Sequence, residues 1–335
     1  MELLRLKCPA CHSSNIQYHS SYTTKNYGGR VMYKCEHCPA SFSETKNTLM
    51  EGLKTPVSVI WQVLKARTKG MGFNAAARTF EKAKNTILAW ERKFSDLHQV
   101  LFLYALVHEF LEVVLEGDEV YTKVQKHVPP DQSLGWTILL MDRASRFIWA
   151  FDCGKKDRRL FQKAMKTLDK MARQTHDLRL FTDGERRYGN LLFEICHELV
   201  KNGKPGRPKK TFKRGVHVRV KNKGAQAHKK GRKRPTYQSP WKEHPATARI
   251  IAETDIHANH AEAFFRALRR TCATFRRQTN MYAKATTGLQ RLLRVYWVVH
   301  NFLRVHFTTR EVPAVALGLL ERRLSVQEIF QIQMA

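Results

Sequence analysis

The chain runs to 335 residues, 43% of them hydrophobic, with 59 Lys and Arg against 29 Asp and Glu for a formal net charge of +30. That length carries core material for two or three domains, and the cationic excess calls for a polyanionic partner, most simply nucleic acid or an anionic membrane surface. No stretch of eighteen apolar residues and no basic-then-apolar leader is present. That argues against a membrane-spanning helix or a secretory signal, and predicts a soluble, intracellular protein with no membrane partner.

Residues 1–46 hold Cys8-Pro-Ala-Cys11 and Cys35-Glu-His-Cys38, separated by a segment rich in Tyr, Thr and Val that turns at Tyr27-Gly28-Gly29. Two such pairs suit a metal site better than a disulfide framework. The layout predicts a zinc ribbon, in which Cys8, Cys11, Cys35 and Cys38 ligate one structural Zn2+ and the hairpin between them is too small to fold unaided. His12 and His37 stand beside these ligands without being needed.

Residues 50–111 read as helical. Pro56 suits the first turn of a helix bearing Val57, Ile60, Trp61 and Leu64. Beyond the break at Gly70-Met71-Gly72, Asn74 can cap a short helix through Phe80, and a further helix begins near Lys84 and carries Ile87, Leu88 and Trp90. Two short helices across a tight turn, the second polar at its start, predict a helix-turn-helix. Lys82, Lys84, Asn85, Thr86 and Arg92 would meet DNA there. Residues 95–112 are expected to continue as a helical connector.

From residue 112 the pattern changes to strands. Segments 112–124, 135–141 and 147–151 follow one another with short connections, which predicts an antiparallel meander. An amphipathic helix comes next, with Leu160, Phe161, Ala164, Leu168 and Met171 on one face. A strand at 178–182 and a helix through Leu191, Leu192, Ile195 and Leu199 follow. Meander, helix, strand, helix is the element order of an RNase H-like α/β domain, with one acid in its first strand and a second at the end of its fourth. Asp118 and Asp183 fall in those two places, and Gly184 allows the chain to turn sharply after the second.

Between residues 201 and 242 there is no Asp or Glu. Arg207, Lys209, Lys210, Lys213, Arg214, Lys229, Lys230, Arg232, Lys233 and Arg234 crowd this segment, and only Val216–Val220 looks strand-like. Like charge that cannot pair internally reads as a mobile arm or as a surface ordered by phosphates. A helix then opens at His257-Ala-Asn-His-Ala-Glu262, with Phe264, Phe265 and Leu268 as its core face and Glu262, Arg266 and Arg269 on another. Glu262 could pair with Arg266 on the surface, or face Asp118 and Asp183 as a third carboxylate. Arg270, Arg276, Arg277 and Lys284 extend the basic surface, and Leu292, Val295, Tyr296, Val299 and Leu303 form a stripe for the core or a dimer contact. The expected whole is a multidomain α+β protein: zinc ribbon over 1–46, helix-turn-helix and connector over 50–111, an RNase H-like catalytic domain over 112–310 with a basic insertion at 201–245, and a helical tail over 311–335.

These parts, in this order, resemble a known family. The zinc pairs, the helix-turn-helix, Asp118-Glu119, Thr182-Asp183-Gly184 with Tyr188, Asn259-x-x-Glu262 with Arg269, and Tyr282-Ala-Lys284 look like the insertion-sequence-one type of bacterial and archaeal transposases. The likeness spans residues 8–310. It implies a DD(E) enzyme that cleaves element ends and joins the freed 3′-hydroxyls to target DNA, with Asp118, Asp183 and Glu262 holding two Mg2+ (or Mn2+) ions. It also implies a cytoplasmic, nucleoid-associated protein of a prokaryote, at least a homodimer because two ends must meet. This chain departs from the shortest members by its basic insertion, which lengthens the interval from Asp183 to Glu262 and leaves Glu253 or Asp255 as an alternative third acid. Rival expectations are an inactive, transposase-derived DNA-binding regulator, and an RNase H-like nuclease or resolvase without strand transfer.

Overall fold

The structure is a computed structural model describing residues 2–24, 28–125, 128–182, 184–201, 203, 205–222, 238–242, 251–276 and 280–334, with the side chains of 2, 28, 220–222, 238–242 and 253 left aside. The chain divides into two compact units, residues 1–105 with 294–335, and residues 106–293.

In the first unit, β1 (Ile16–Thr24), β2 (Gly28–Cys35) and β3 (Ser41–Ser43) form an antiparallel sheet. Its buried core is Cys8, Cys35 and Phe42, flanked by Leu6, Ile16, Tyr33, Cys38 and Ala40. Three buried side chains at about 1.5–3 kcal/mol each fall far short of the ordering entropy of the module, about 1–2 kcal/mol per residue. Three helices follow, α1 (Val57–Thr68), α2 (Phe73–Thr79) and α3 (Lys84–Leu106). Arg67 of α1 ties them together: its Nε lies 2.7 Å from Oε1 of the fully buried Glu91 on α3, and its guanidinium stacks 3.8 Å from the Phe73 ring at the start of α2. The cap of α2 is Gly72, with no side-chain bond, and Asn74 lies inside the helix. The expected connector ends early, because α3 stops at Leu106 and residues 110–112 are already strand.

The second unit begins with the meander β4 (Phe110–Tyr121), β5 (Trp136–Asp142) and β6 (Ile148–Gly154). Then come α4 (Arg158–Met171), β7 (Thr175–Thr182), α5 (Arg187–Ile195) and the hairpin β8 (His197–Val200) with β9 (Lys209–Phe212). β10 (Val216–Asn222), β11 (Gln238–Lys242) and α6 (Asn259–Thr271) follow. The Asp157 carboxylate caps α4 by accepting from the backbone N–H groups of Arg159 and Leu160. One mixed sheet results, in the order β11-β10-β7-β4-β5-β6, with β7 parallel to β4 and β10 parallel to β7.

Neighbouring residues of β4 point to opposite faces of this sheet. A Cβ on Gly117 would sit 3.2 Å from Cε1 of Tyr188, so α5 covers the Gly117 face, while Glu116 meets the first residues of α6 on the other. In the basic segment residues 209–212 form a further strand that was not expected. The expected strand is present at 216–222, with Val216 and Val218 buried because alternating valines supply one apolar face. Gly215 makes that entry feasible: its φ is +83°, and a Cβ there would stand 2.2 Å from the His176 carbonyl oxygen.

The chain ends with α7 (Thr286–Val298), a π-helical turn at Val299–Leu303, α8 (Pro313–Ala316) and α9 (Val326–Gln331). Leu292, Val295, Tyr296 and Val299 are buried, so the apolar stripe packs core. The tail bonds the N-terminal cysteine module and packs on α3. Gln333 exchanges two hydrogen bonds with the Lys7 backbone, at 2.7 and 3.0 Å, and Phe330 packs 5.6 Å from Phe94 of α3. Among the described residues no helix is long and apolar enough to cross a membrane.

Candidate functional site

Among the described residues, two groups of three or more His, Cys, Asp or Glu bring their ligand atoms within 4.8 Å of one another: Cys8, Cys11, Cys35 and Cys38, and Glu116 with His257 and His260. In the first group, Sγ of Cys8 lies 3.6 Å from that of Cys38, and Sγ of Cys11 lies 3.5 Å from that of Cys35. Four thiolates at about 2.3 Å from a tetrahedral Zn2+ stand about 3.8 Å from each other, so the cage fits a structural zinc. Burial disfavours the Cys8 thiolate, but the backbone N–H groups of Cys11 and Ala10 bring it down to about 7. At Cys38 the Ala40 N–H favours the thiolate, yet burial and the three neighbouring thiols push it up to about 12.

The sheet carries the acids. Asp118 is half-buried near the carboxyl end of β4, and its Oδ1 accepts from the Glu119 N–H at 2.8 Å. The residue before it, Gly117, pairs in parallel register with Thr182 of β7, the residue before Asp183. Asp183 itself lies outside the described residues. Glu262 sits in the first turn of α6, half-exposed, with Oε2 3.2 Å from Nη2 of Arg266. Neither Asp118 nor Glu262 belongs to the two close ligand groups. Asp255 is an exposed residue of the short 3-10 turn Glu253–Asp255, and the Glu253 side chain lies outside the description.

Sequence reasoning passed over the acid that does most to build this face. Glu116, two residues before Asp118 and on the same face of β4, is fully buried. Its Oε2 accepts from the backbone N–H groups of His260 (2.8 Å) and Ala261 (3.0 Å), and its Oε1 accepts from Arg143 Nε (2.8 Å) and His260 Nδ1 (2.7 Å). Arg143 also donates to the carbonyls of Asp255 (2.9 Å) and His257 (2.7 Å) and stacks 4.6 Å from the Phe181 ring. The available signal was positional: an acid inside an apolar strand must find partners or lose its charge.

On the opposite face Glu119 is largely buried, and that burial pushes its carboxyl above the usual glutamate value despite the Lys156 ammonium beside it. Tyr188 donates to its Oε2 at 3.4 Å, and burial next to that acid drives the phenol well up. Lys156 also lies 3.6 Å from Glu185, which Arg187 grips with two bonds, at 2.9 and 2.7 Å.

The basic residues spread over both units. On α3, Lys84, Asn85 and Arg92 are exposed and Thr86 is half-buried, with Lys82 half-buried in the turn before it. Arg207, Lys209, Lys210 and Arg214 are exposed around β9, while Lys213 reaches Asp169 at 3.5 Å. Arg266, Arg269 and Arg270 line a shallow recess along α6. Arg276 and Lys284 are exposed, and Lys284 stacks 3.9 Å from the Tyr282 ring. Lys229, Lys230, Arg232, Lys233, Arg234 and Arg277 lie outside the described residues. No protein-family model and no curated protein matches this sequence.

Proposed function

We propose that the chain is a DD(E) transposase with an RNase H-like catalytic domain, binding the ends of an insertion element, cleaving them and joining their 3′-hydroxyls to target DNA. The observation that carries this reading is the parallel register Gly117↔Thr182, two central-strand residues each followed in sequence by an aspartate. An antiparallel meander joined by two parallel strands, and a helix docked on the Asp118 face that carries Glu262 in its first turn, also support it.

Asp118, Asp183 and Glu262 would hold divalent Mg2+ (or Mn2+); carboxylate oxygens at a half-buried strand end are the hard donors such an ion prefers. When bound, the ions neutralise phosphate charge and stabilise the attacking and leaving oxygens. In end cleavage a water oxygen bonds to phosphorus while the P–O3′ bond breaks, leaving a 3′-hydroxyl on the element. In joining, that hydroxyl attacks a target phosphodiester and displaces a target 3′-hydroxyl, so one ester replaces another. The arginines of α6, the insertion and the α3 face would hold the DNA backbone, in an assembly of at least two copies.

The test is end cleavage by Asp118→Asn and Asp183→Asn proteins in Mg2+. Loss by about 100-fold or more is expected for either, and near-wild-type cleavage would end the proposal. The Glu262–Arg266 pair favours a second reading, a DNA-binding regulator descended from such an enzyme. That protein would bind ends and take up no Mn2+ in calorimetry. An RNase H-like nuclease or resolvase would cleave but leave precleaved ends unjoined.

A further inference from the structure

Glu116 is a fully buried carboxylate with donors on both oxygens, and three of those donors belong to two consecutive residues of α6, His260 and Ala261. The next residue is Glu262. At the strand end of the same contact, Asp118 follows Glu116 by two residues on the same face. We propose that Glu116 is a positioning residue: it seats the first turn of α6 on β4 so that Glu262 is carried toward Asp118. The inference rests on the transposase reading and names the residue on which that reading's third acid depends.

The first turn of a helix leaves backbone N–H groups without intrahelical partners. Here α6 has no side-chain cap of its own, its preceding residue being Ala258. The acid supplying the acceptors comes from a strand more than a hundred residues away, so the cap is also a tertiary clamp. Two further bonds make it two-sided. Arg143 neutralises Glu116 and also grips the carbonyls of Asp255 and His257, so the segment leading into α6 is held by the same pair that holds its first turn. Glu116, His257 and His260 also have the composition of a metal site, but both carboxylate oxygens already accept from donors of this chain, and a divalent ion beside the Arg143 guanidinium would add uncompensated positive charge.

Outer-shell partners of metal ligands cost roughly 10- to 100-fold in metal affinity when removed. The experiment is Mn2+ calorimetry on the full, zinc-loaded chain for wild type, Glu116→Gln, Glu262→Gln and the double variant, with amide exchange followed at His260 and Ala261 in the absence of Mn2+. Glu116→Gln should weaken Mn2+ binding by about 10-fold or more, add little to Glu262→Gln, and speed exchange at both amides. Arg143→Lys, which keeps the charge but lacks the fork, should reproduce the pattern more weakly and covers a failure of Glu116→Gln to fold. Equal weakening in both backgrounds, or none while Glu262→Gln weakens binding, overturns the positioning role alone. Mn2+ binding indifferent to Glu262→Gln sinks the enzyme reading together with this one. Binding that survives Asp118→Asn with Glu262→Gln but is lost on His260→Ala assigns the ion to the Glu116 group and overturns the clamp.

Discussion

The four cysteines come from one short module and the Glu116 group from distant stretches of chain, and they are satisfied in opposite ways. Cys8, Cys11, Cys35 and Cys38 converge on one another with S–S spacings near those of a zinc tetrahedron, around a core of three buried residues. Glu116 converges on donors of its own protein, inside a sheet and helix with an extensive core. One group is left open to a cation and the other is closed by the chain. A module with so small a core is expected to depend on an ion held by its four thiols for its fold, whereas the Glu116 carboxylate already has donors from the chain on both oxygens.

Stripping the zinc breaks that comparison most sharply. Apparent binding free energies of about 10–16 kcal/mol for structural zinc at neutral pH are also folding free energies. Chelation should unfold residues 1–46, seen as loss of amide protection in β1 and β2, while protection in β4 and β7 persists. Protection lost equally in both units would mean that the ribbon is not the ion-dependent element. Because thiolates are the ligands and Cys38 holds its proton to about 12, zinc uptake should release protons and weaken as pH falls.

The same contrast explains what could be read from the sequence. The cysteine cage was legible because its ligands announce themselves by type and by a two-residue interval. The meander was legible from its strand-like runs with short connections, and Asp118 was singled out among the acids of the first strand by its place in the element order. Glu116 was passed over because its position in an apolar strand calls for partners, but the partners themselves, backbone N–H groups of a remote helix, leave no mark in the local sequence. The strand at 216–222 was legible from its alternating valines, and its place in the sheet is set by Val216, Val218 and the close approach at Gly215, whereas the strand at 209–212 was hidden by the lysines that dominate its composition. The tail offered no chemistry to read; Gln333 bonds the Lys7 backbone of the cysteine module, and Phe330 packs on Phe94 of α3.

The two sides of α6 sharpen the comparison at smaller scale. Its inner side is closed on β4, and its outer side presents Arg266, Arg269 and Arg270 around a shallow recess. If that side holds phosphates, each arginine changed to glutamine should lower the salt slope of DNA binding, log K against log salt, by about 1 and weaken affinity alike on specific and unrelated sequences. An unchanged slope would place the DNA elsewhere.

The smallest expected effect concerns Glu119, an acid enclosed without a full set of donors. Its surroundings are Lys156, Glu185, Arg187, Tyr188 and the neighbouring Asp118, and burial outweighs the cations among them, so its carboxyl is raised in the folded protein. A raised carboxyl means that the native state keeps a proton the unfolded chain has already lost, so unfolding releases it and stability falls with rising pH. The stabilisation is complete below the ordinary glutamate value and disappears as pH climbs through the raised one. Glu119→Gln removes that dependence, so the variant should gain on wild type steadily across this window when unfolding is followed in urea at a series of pH values. A constant difference would show that Lys156 compensates Glu119 fully, and would move it from the enclosed acids to the satisfied ones alongside Glu116.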